Sequence, residues 1–348
     1  MPWTKILAEA AAPSPEQTPE GRCLTYGEAL REAQSLALAN DPAVIIMGEG
    51  VDDPGGIFGS TKDLHTEYGT DRVFDLPIAE NGCTGFAIGA AITGMRPIFV
   101  HMRVDFMLMA MDQLANHAAK WRYMFGGRQN VPLVIRAIIG RGWGSAAQHS
   151  QSLHGMFLQI PGLKVIMPFT PYDAKGLLLS AVADNDPVLC IEHRWLYDHN
   201  GPVPESLYTV PIGKASVLRR GKDITIAAIS LMVHEALAAA QELARIGIEA
   251  EVIDLRTVTP LDSATVIKSV QKTGRLLVAD ASSVNGGLGA ELAARVQEEI
   301  FSSLKCAVRR VGLPHVPTPA SETLEQAYYQ DKTDITNTVQ SILAEEKR

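Results

Sequence analysis

The sequence predicts an α/β protein of two domains: a first domain on a mostly parallel sheet covered on both faces, and a second, smaller α/β unit. Three observations carry this. Short Val/Ile-rich runs alternate with helix-like segments along the chain, the pattern of β-α-β units. The runs AVIIMG, VPLVIRAII and PVLCIEH are continuously apolar, as strands buried on both faces are. Residues 198–212, DHNGPVPESLYTVPI, hold three prolines and little periodicity, and read as a linker between two such series. A chain of 348 residues suits about two domains. They are placed at 21–197 and 213–348, behind a Pro- and Glu-rich tail at 1–20.

Ordered structure starts at TYGEALREAQSLALAND. Thr25 and Glu28 have capping-box spacing, and Ala29, Leu30, Ala33, Leu36 and Ala37 form an apolar helical stripe. AVIIMGEG is a buried strand ending in a turn, DDPGGIFG a loop and VFDLPI a strand. Residues 81–94 form a helix of small side chains, among them Gly82, Gly85, Ala87, Gly89, Ala90 and Ala91. RPIFVHM is the next strand, followed by a helix from Phe106 to Met124. VPLVIRAII is a strand, and GRGWGSAAQHSQSLHG a long Gly-rich loop. LKVIMP leads into TPYDAKGLLLSAVAD, where Thr170 caps, Pro171 takes the first helical position and Asp173 complements the dipole. PVLCIEH closes the first domain. Beyond the linker, DITIAAIS, EAEVIDL, RLLVAD and AVRRVGL alternate with helices over 233–246, 263–272 and 288–301.

With 46% hydrophobic and 20% charged residues the chain can bury a sizeable core. The net charge is −8, and Lys and Arg are scattered, which argues against a nucleic-acid footprint. Cys23, Cys83, Cys190 and Cys306 form no C-x-x-C pair and read as reduced thiols. No run approaches the ~18 apolar residues of a membrane span. The N-terminus lacks the basic-then-apolar order of a signal peptide. A cytoplasmic protein with no membrane partner is expected.

Open parallel sheets collect their sites at the carboxyl ends of strands. Three polar clusters fall there: Glu49 after AVIIMG, Glu80 after VFDLPIA, and the loop at 140–149. Each residue has two readings. Glu80 either caps the helix it opens or does chemistry in the small-residue surface around it. Glu49 is either a solvated loop residue or part of the site. His149, among hydroxyl and amide side chains, is structural or catalytic, while His101 and His154 read as structural. GRGWG at 140–144 could cradle a phosphate but matches no P-loop or dinucleotide fingerprint. NGGLGAE from Asn285 reads as a tight helix start. G-x-S-x-G, H-E-x-x-H and zinc spacings are absent from the sequence. A carboxylate in an apolar slot can hold a proton near neutral pH and exchange it with a heteroaromatic ring, which points to a cofactor that carries the hard chemistry.

The segments GEGV, DPGGIFG, FDLPIAENGCTGFAIGAA, DQLANHAAKWRYMFGG, QHSQSLHGMFLQIPGLKV and TPYDAKGLLLSAVADNDPV occur in this order. Over about residues 22–330 the chain resembles the β subunit of the thiamine-diphosphate-dependent decarboxylating component of 2-oxoacid dehydrogenases, of the pyruvate and branched-chain type. The second unit is similar to the transketolase C-terminal domain, and the first would be a thiamine-pyrimidine-binding domain. The resemblance implies that Glu80 hydrogen-bonds N1′ of the aminopyrimidine, promoting the imino tautomer whose 4′-nitrogen takes the thiazolium C2 proton. It implies that Phe106 packs on that ring and that Glu49 joins the site's hydrogen-bond network. It places His149, in H-S-Q, at the substrate channel to handle the intermediate or acceptor. The G-D-G segment with which thiamine enzymes hold the diphosphate and Mg²⁺ is absent here. The resemblance assigns that task to an α subunit in an α₂β₂ assembly that works with a lipoyl acyltransferase core. It also implies a K⁺ ion on carbonyls near Leu133, Ala181, Asp184 and Asp186.

Two positions depart from the family's pattern. Gln159 stands where a histidine is common, and Arg103 in HMRVDFM where an apolar aromatic residue is usual. Arg103 either snorkels to a surface or pairs with a phosphate or carboxylate. The second reading keeps the cofactor but makes the reaction a transketolase-like transfer of a two-carbon or acyl unit to a sugar phosphate. A non-catalytic scaffold for an α-like partner is a third reading, against which Glu80, Phe106 and His149 argue.

Overall fold

The computed structural model describes residues 22–140 and 144–345, so the tail at 1–20 and the centre of GRGWG lie outside the described residues. The chain divides into two compact units. The first takes the residues up to Ile139 together with Gln159–Ile212, and the second takes Gly140–Leu158 together with Gly213 onward. The long Gly-rich loop therefore packs with the second unit, although strands of the first flank it in sequence.

In the first unit, β1 (Cys23–Thr25) leads into helix α1 (Tyr26–Asn40), and the capping box between Thr25 and Glu28 is formed in both directions. Strands β2 (Val44–Gly48), β3 (Val73–Asp75), β4 (Arg96–His101), β5 (Val134–Ile139), β6 (Lys164–Ile166) and β7 (Val188–His193) pair in parallel in the order β6-β7-β5-β4-β2-β3. Every residue of β2, β4, β5 and β7 is buried, which is why these strands read as unbroken apolar runs. Short helix α2 (Leu64–Tyr68) follows the β2 loop, and α3 (Glu80–Ile92) is the small-residue helix. The stretch 198–212 belongs to this unit rather than standing between the two, because β8 (Asn200–Pro202) pairs antiparallel with β1.

The expected single helix from Phe106 to Met124 is broken into α4 (Val104–Met107), a 3₁₀ turn (Leu108–Ala110), a π-helical stretch (Gln113–Ala118) and α5 (Ala119–Met124). The widened π turns meet α5 where another backbone presses in: a Cβ on Gly162 would lie 1.9 Å from the Ala119 carbonyl oxygen. Helix α6 (Pro171–Ala183) has its Thr170 cap, with the Asp173 N–H donating to Thr170 Oγ1 at 3.0 Å.

The second unit carries β9 (Ser216–Arg219), β10 (Ile224–Ala228), β11 (Ala250–Asp254), the short β12 (Thr257–Thr259), β13 (Leu276–Ser283) and β14 (Arg309–Leu313). Four strands pair in parallel in the order β14-β13-β10-β11, and β9 closes one edge antiparallel. Helices α7 (Leu231–Arg245), α8 (Ser263–Thr273) and α9 (Leu288–Ile300) match the periodic segments. Helices α10 (Glu322–Tyr328) and α11 (Lys332–Glu345) were not expected; α11 packs on α7 and buries Ile335, Val339 and Ile342. No helix among the described residues is long and apolar enough to cross a membrane.

Candidate active site

The site in the first unit forms where β2, β3 and β4 end together. At the end of β2 the chain must come very close to β4: a Cβ on Gly48, whose φ is +151°, would lie 2.3 Å from the Val100 carbonyl oxygen. Only glycine fits, and the approach lets the next residue, Glu49, donate its N–H to Val100 O at 3.2 Å. Asp75, the last residue of β3, fixes the other side of the turn by accepting the N–H groups of Gly50 (3.0 Å) and Val51 (2.7 Å).

Glu80 opens α3. Ala79 has no capping side chain, so the Glu80 carboxylate itself complements the helix N-terminus. It is only 4% exposed, although its neighbours Ile78, Ala79, Asn81 and Gly82 are exposed. Apolar surface surrounds it, with Ile78 82%, Phe86 56% and Met109 65% exposed. Nothing lies within 4 Å of where a Gly82 Cβ would be, so the first turn of α3 leaves room for a flat group.

The two carboxyls feel each other. Burial raises the Glu49 carboxyl above its usual value, the charge of Glu80 pushes it further, the N–H of Met102 pulls back, and Asp75 adds to the rise. The Cys83 thiol, one turn into α3, is raised by burial and by the charges of Glu49 and Glu80. A half-buried carboxyl beside a second, buried carboxylate keeps its proton to a higher pH than a solvated one, and that is the direction in which Glu49 is moved.

Behind Glu80 stands His101, at the end of β4. Its Nε2 is 3.2 Å from Thr84 Oγ1, and Thr84 donates to the Glu80 carbonyl at 2.6 Å. Burial lowers the His101 imidazole to about 4, so it is neutral. His101 is structural in the sense expected, but its contact with Thr84 makes it a brace for the first turn of α3. Phe106 lies half-buried on α4. Beside it, Arg103 Nε is 3.2 Å from Asp105 Oδ2, with Asp105 buried. Asn81 donates its Nδ2 to Met109 O at 3.1 Å and accepts at Oδ1 from Gln113 Nε2 at 3.3 Å, which ties α3 to the 3₁₀ turn and the π-helical stretch.

The structure thus brings Glu49, Glu80 and the Phe106 segment to the same strand ends of the first unit. His149 is exposed in the Gly140–Leu158 segment of the second unit, and Gln159 is exposed. Asp75, Cys83 and His101 were not anticipated as neighbours of the site. Asp75 could have been, since it too ends a parallel strand; the other two depend on packing between elements.

Of the four residues expected around K⁺, Ala181, Asp184 and Asp186 lie between the last turn of α6 and the start of β7, and Leu133 stands before β5, bonded to the first residue of β7. Arg96 donates to the carbonyls of Val182 (2.8 Å) and Asp184 (3.0 Å), and Lys164 Nζ lies 2.6 Å from the Asp184 carboxylate. Arg122 holds the Asp186 carboxylate in a two-pronged contact at 2.8 and 2.9 Å. The Leu133 and Ala181 carbonyls accept the N–H groups of Val188 and Asp184. The two carboxylates are already neutralised by fixed cations, so an ion here would rest on second lone pairs of carbonyl oxygens alone.

Residues 23–199 match the family described as transketolase, pyrimidine binding domain, and residues 213–335 match transketolase, C-terminal domain. The chain is 47% identical over 324 residues to the acetoin:2,6-dichlorophenolindophenol oxidoreductase subunit beta of Cupriavidus necator, covering 90% of this chain and 96% of that one. It is 42% identical over 321 residues to the pyruvate dehydrogenase E1 component subunit beta of Bacillus subtilis, covering 92% and 98%. Among solved structures, a split-gene transketolase described as an inactive beta4 tetramer superposes with a TM-score of 0.74 at 24% identity, over 92% of this chain and 98% of that one.

Proposed function

The chain belongs to the transketolase-type family of β subunits of thiamine-dependent 2-oxoacid and acetoin dehydrogenases, and on that premise we propose how its own residues serve the reaction. The observation that carries the reading is the buried Glu80 carboxyl, electrostatically linked to Glu49 at the ends of three parallel strands. The enzyme is a heteromer with an α subunit, and the donor is a 2-oxoacid that loses carbon dioxide while its acyl group passes to lipoyllysine. The Cupriavidus necator relative names acetoin, whose cleavage also breaks a bond beside a carbonyl, so acetoin is the second donor to test.

Thiamine diphosphate, when bound, supplies the carbon nucleophile and the electron sink that such a cleavage needs. Glu80 would hold the aminopyrimidine by a hydrogen bond at its carboxyl, with Phe106 against the ring face. Glu49, whose carboxyl is raised by burial and by the charge of Glu80, would join the hydrogen-bond network of the site beside that contact. Small residues and exposed apolar side chains around Glu80 exclude water once the ring and the partner cover them. His149, exposed on its loop, would move the proton of the acceptor. The diphosphate and Mg²⁺ fall to the α subunit of an α₂β₂ assembly, a reading supported by the absence of G-D-G from the sequence. K⁺ would rest on the carbonyls of Leu133, Ala181, Asp184 and Asp186.

The sugar-phosphate alternative loses its main support, because Arg103 Nε is engaged by the buried Asp105. The test mixes this chain with its α partner, thiamine diphosphate and Mg²⁺, and follows dye reduction with pyruvate, a branched-chain 2-oxoacid and acetoin. A lipoylated domain and an aldose phosphate serve as alternative acceptors. Turnover that needs both chains and acylates the lipoyl domain is expected. Turnover with the aldose phosphate alone would overturn the reading.

A further inference from the structure

Beneath the loop that carries His149 lies a buried imidazole–carboxylate pair that the proposed chemistry does not use. His154 is fully buried, and its Nε2 is 2.8 Å from Asp280 Oδ1 at the carboxyl half of β13. Asp280 can only accept, so Nε2 carries the hydrogen. Two further bonds reach Asp280: Ser282 donates its N–H to Oδ1 at 3.2 Å and its hydroxyl to Oδ2 at 2.7 Å. Burial alone would raise the Asp280 carboxyl; the charge and hydrogen bond of His154, with the bonds from Ser282, outweigh it and hold it low. Next to the pair two backbones touch, since a Cβ on Gly155 would lie 3.1 Å from Gly287 Cα.

The preceding part of the same loop is held differently. Ala147, Gln148 and His149 are exposed, and Ala146 turns the chain at a φ of +56°. A groove of about 540 Å³ runs beside it, lined by Gln148, Ser152 and Ser283 of this loop and strand and by His315, Thr318 and Tyr328. The loop therefore has an exposed, functional-looking half and a half fixed at depth. A buried imidazole–carboxylate hydrogen bond is a poor source of net stability compared with apolar packing, but it tolerates only one arrangement of its partners.

We propose that His154 and Asp280 are positioning residues for His149: the pair pins the loop to β13 and sets where the His149 imidazole stands when the acceptor is attacked. The inference rests on the role given to His149 under the proposed function. Misplacing such a group by about 1 Å can lower a rate about 10²-fold.

The test uses the assembled α/β enzyme with thiamine diphosphate and Mg²⁺, and compares H154F, H154Q and D280N. Three readouts are taken: hydrogen exchange of peptides covering 144–158, dye-coupled donor turnover, and acyl transfer to a lipoylated domain. H154F keeps a flat ring, of somewhat larger volume, and deletes the donor. It should raise exchange in the loop and lower acyl transfer by about tenfold or more, while dye-coupled turnover falls less than about threefold. H154Q, whose amide nitrogen can reach Asp280, should bring both readouts back to within about threefold of the parent. D280N, which keeps the accepting oxygen and drops the charge, should show the same split at smaller size, and serves if H154F fails to assemble. Unchanged exchange, equal loss in both half-reactions, or H154Q as impaired as H154F would overturn the proposal. If the parent enzyme turned over no donor, the functional reading would fall by itself, and exchange in H154F would still decide whether the loop is pinned.

Discussion

Glu192→Gln should unsettle the first unit more than any surface substitution, because it strands a buried guanidinium. Arg136 on β5 and Glu192 on β7 are 1% and 0% exposed at their side chains. Arg136 Nε donates to Glu192 Oε1 at 2.6 Å and Nη2 to Oε2 at 2.8 Å. The remaining donors reach Gln34 Oε1 at 3.0 Å and Ser60 Oγ at 2.8 Å, and the Tyr197 hydroxyl donates to Glu192 Oε2. Burial would lower the Arg136 pKa, but the charge and hydrogen bonds of Glu192 outweigh it and raise it, so the cation has no neutral form to retreat to. Removing one partner of such a pair costs about 3–5 kcal/mol, whereas replacing both by apolar residues is often neutral. At about 2–4 °C per kcal/mol for a unit of this size, Glu192→Gln should lower the melting temperature by about 6–20 °C. Tyr197→Phe, which loses one hydrogen bond to a charged group, should cost about 1.5–3 kcal/mol. Scanning calorimetry of the full chain reads these shifts, with Arg136→Met/Glu192→Leu as the control that removes both charges. A shift under about 2 °C for Glu192→Gln, or a double variant no more stable than the single one, would refute the reasoning.

Glu80→Gln should lower dye-coupled turnover by about 10²–10⁴-fold with assembly intact, the range of a lost acid–base group. Carboxyl NMR of the same variant should find Glu49 titrating lower than in the parent, because one cause of its raised value is gone. Acid should reveal His101. Its imidazole sits at about 4 against 6.5, so between those values the unfolded chain binds a proton that the folded chain does not, and stability falls as the pH drops. The drop of about 2.5 units corresponds to about 3 kcal/mol, and melting curves of His101→Phe from pH 7 to 4.5 should lack that part of the decline. Gly48→Ala should cost about 2–4 kcal/mol and displace Glu49, read as lower turnover together with a lower melting temperature. K⁺ in place of Na⁺ should raise the melting temperature of the parent; no difference would remove the ion from the Leu133 and Asp184 carbonyls.

What could be read from the sequence was what neighbours in sequence decide. The buried strands announced themselves as Val/Ile runs because the sheet leaves no face for polar residues, and the Thr25 and Thr170 caps because their partners lie one turn away. Glu49 and Glu80 were found by the strand-end rule, which needs only the order of elements. The break in the helix expected over 106–124 has no local signal; its π-helical stretch runs up to Ala119, where the backbone of Gly162, remote in sequence, comes close. The pairs Arg136–Glu192 and His154–Asp280 are equally silent, each member an ordinary polar residue until the fold joins them. Helices α10 and α11 present only a thin buried face, Ile335, Val339 and Ile342 in α11, among mostly polar residues. The allegiance of residues 140–158 depends on contacts with Asp280 and Gly287 that no local pattern encodes.

That allegiance bears on how the chain is made. Residues 140–158 leave the ribosome long before β13 and the 313–318 segment against which they rest. Until synthesis is nearly finished, the segment waits without its seat, tethered at both ends to strands that can already pair. A nascent chain stopped after residue 212 would present the His149 loop unanchored, with the neighbourhood of His154 and Phe157 open to proteases and chaperones. Order in that loop would then report whether the whole chain has been completed.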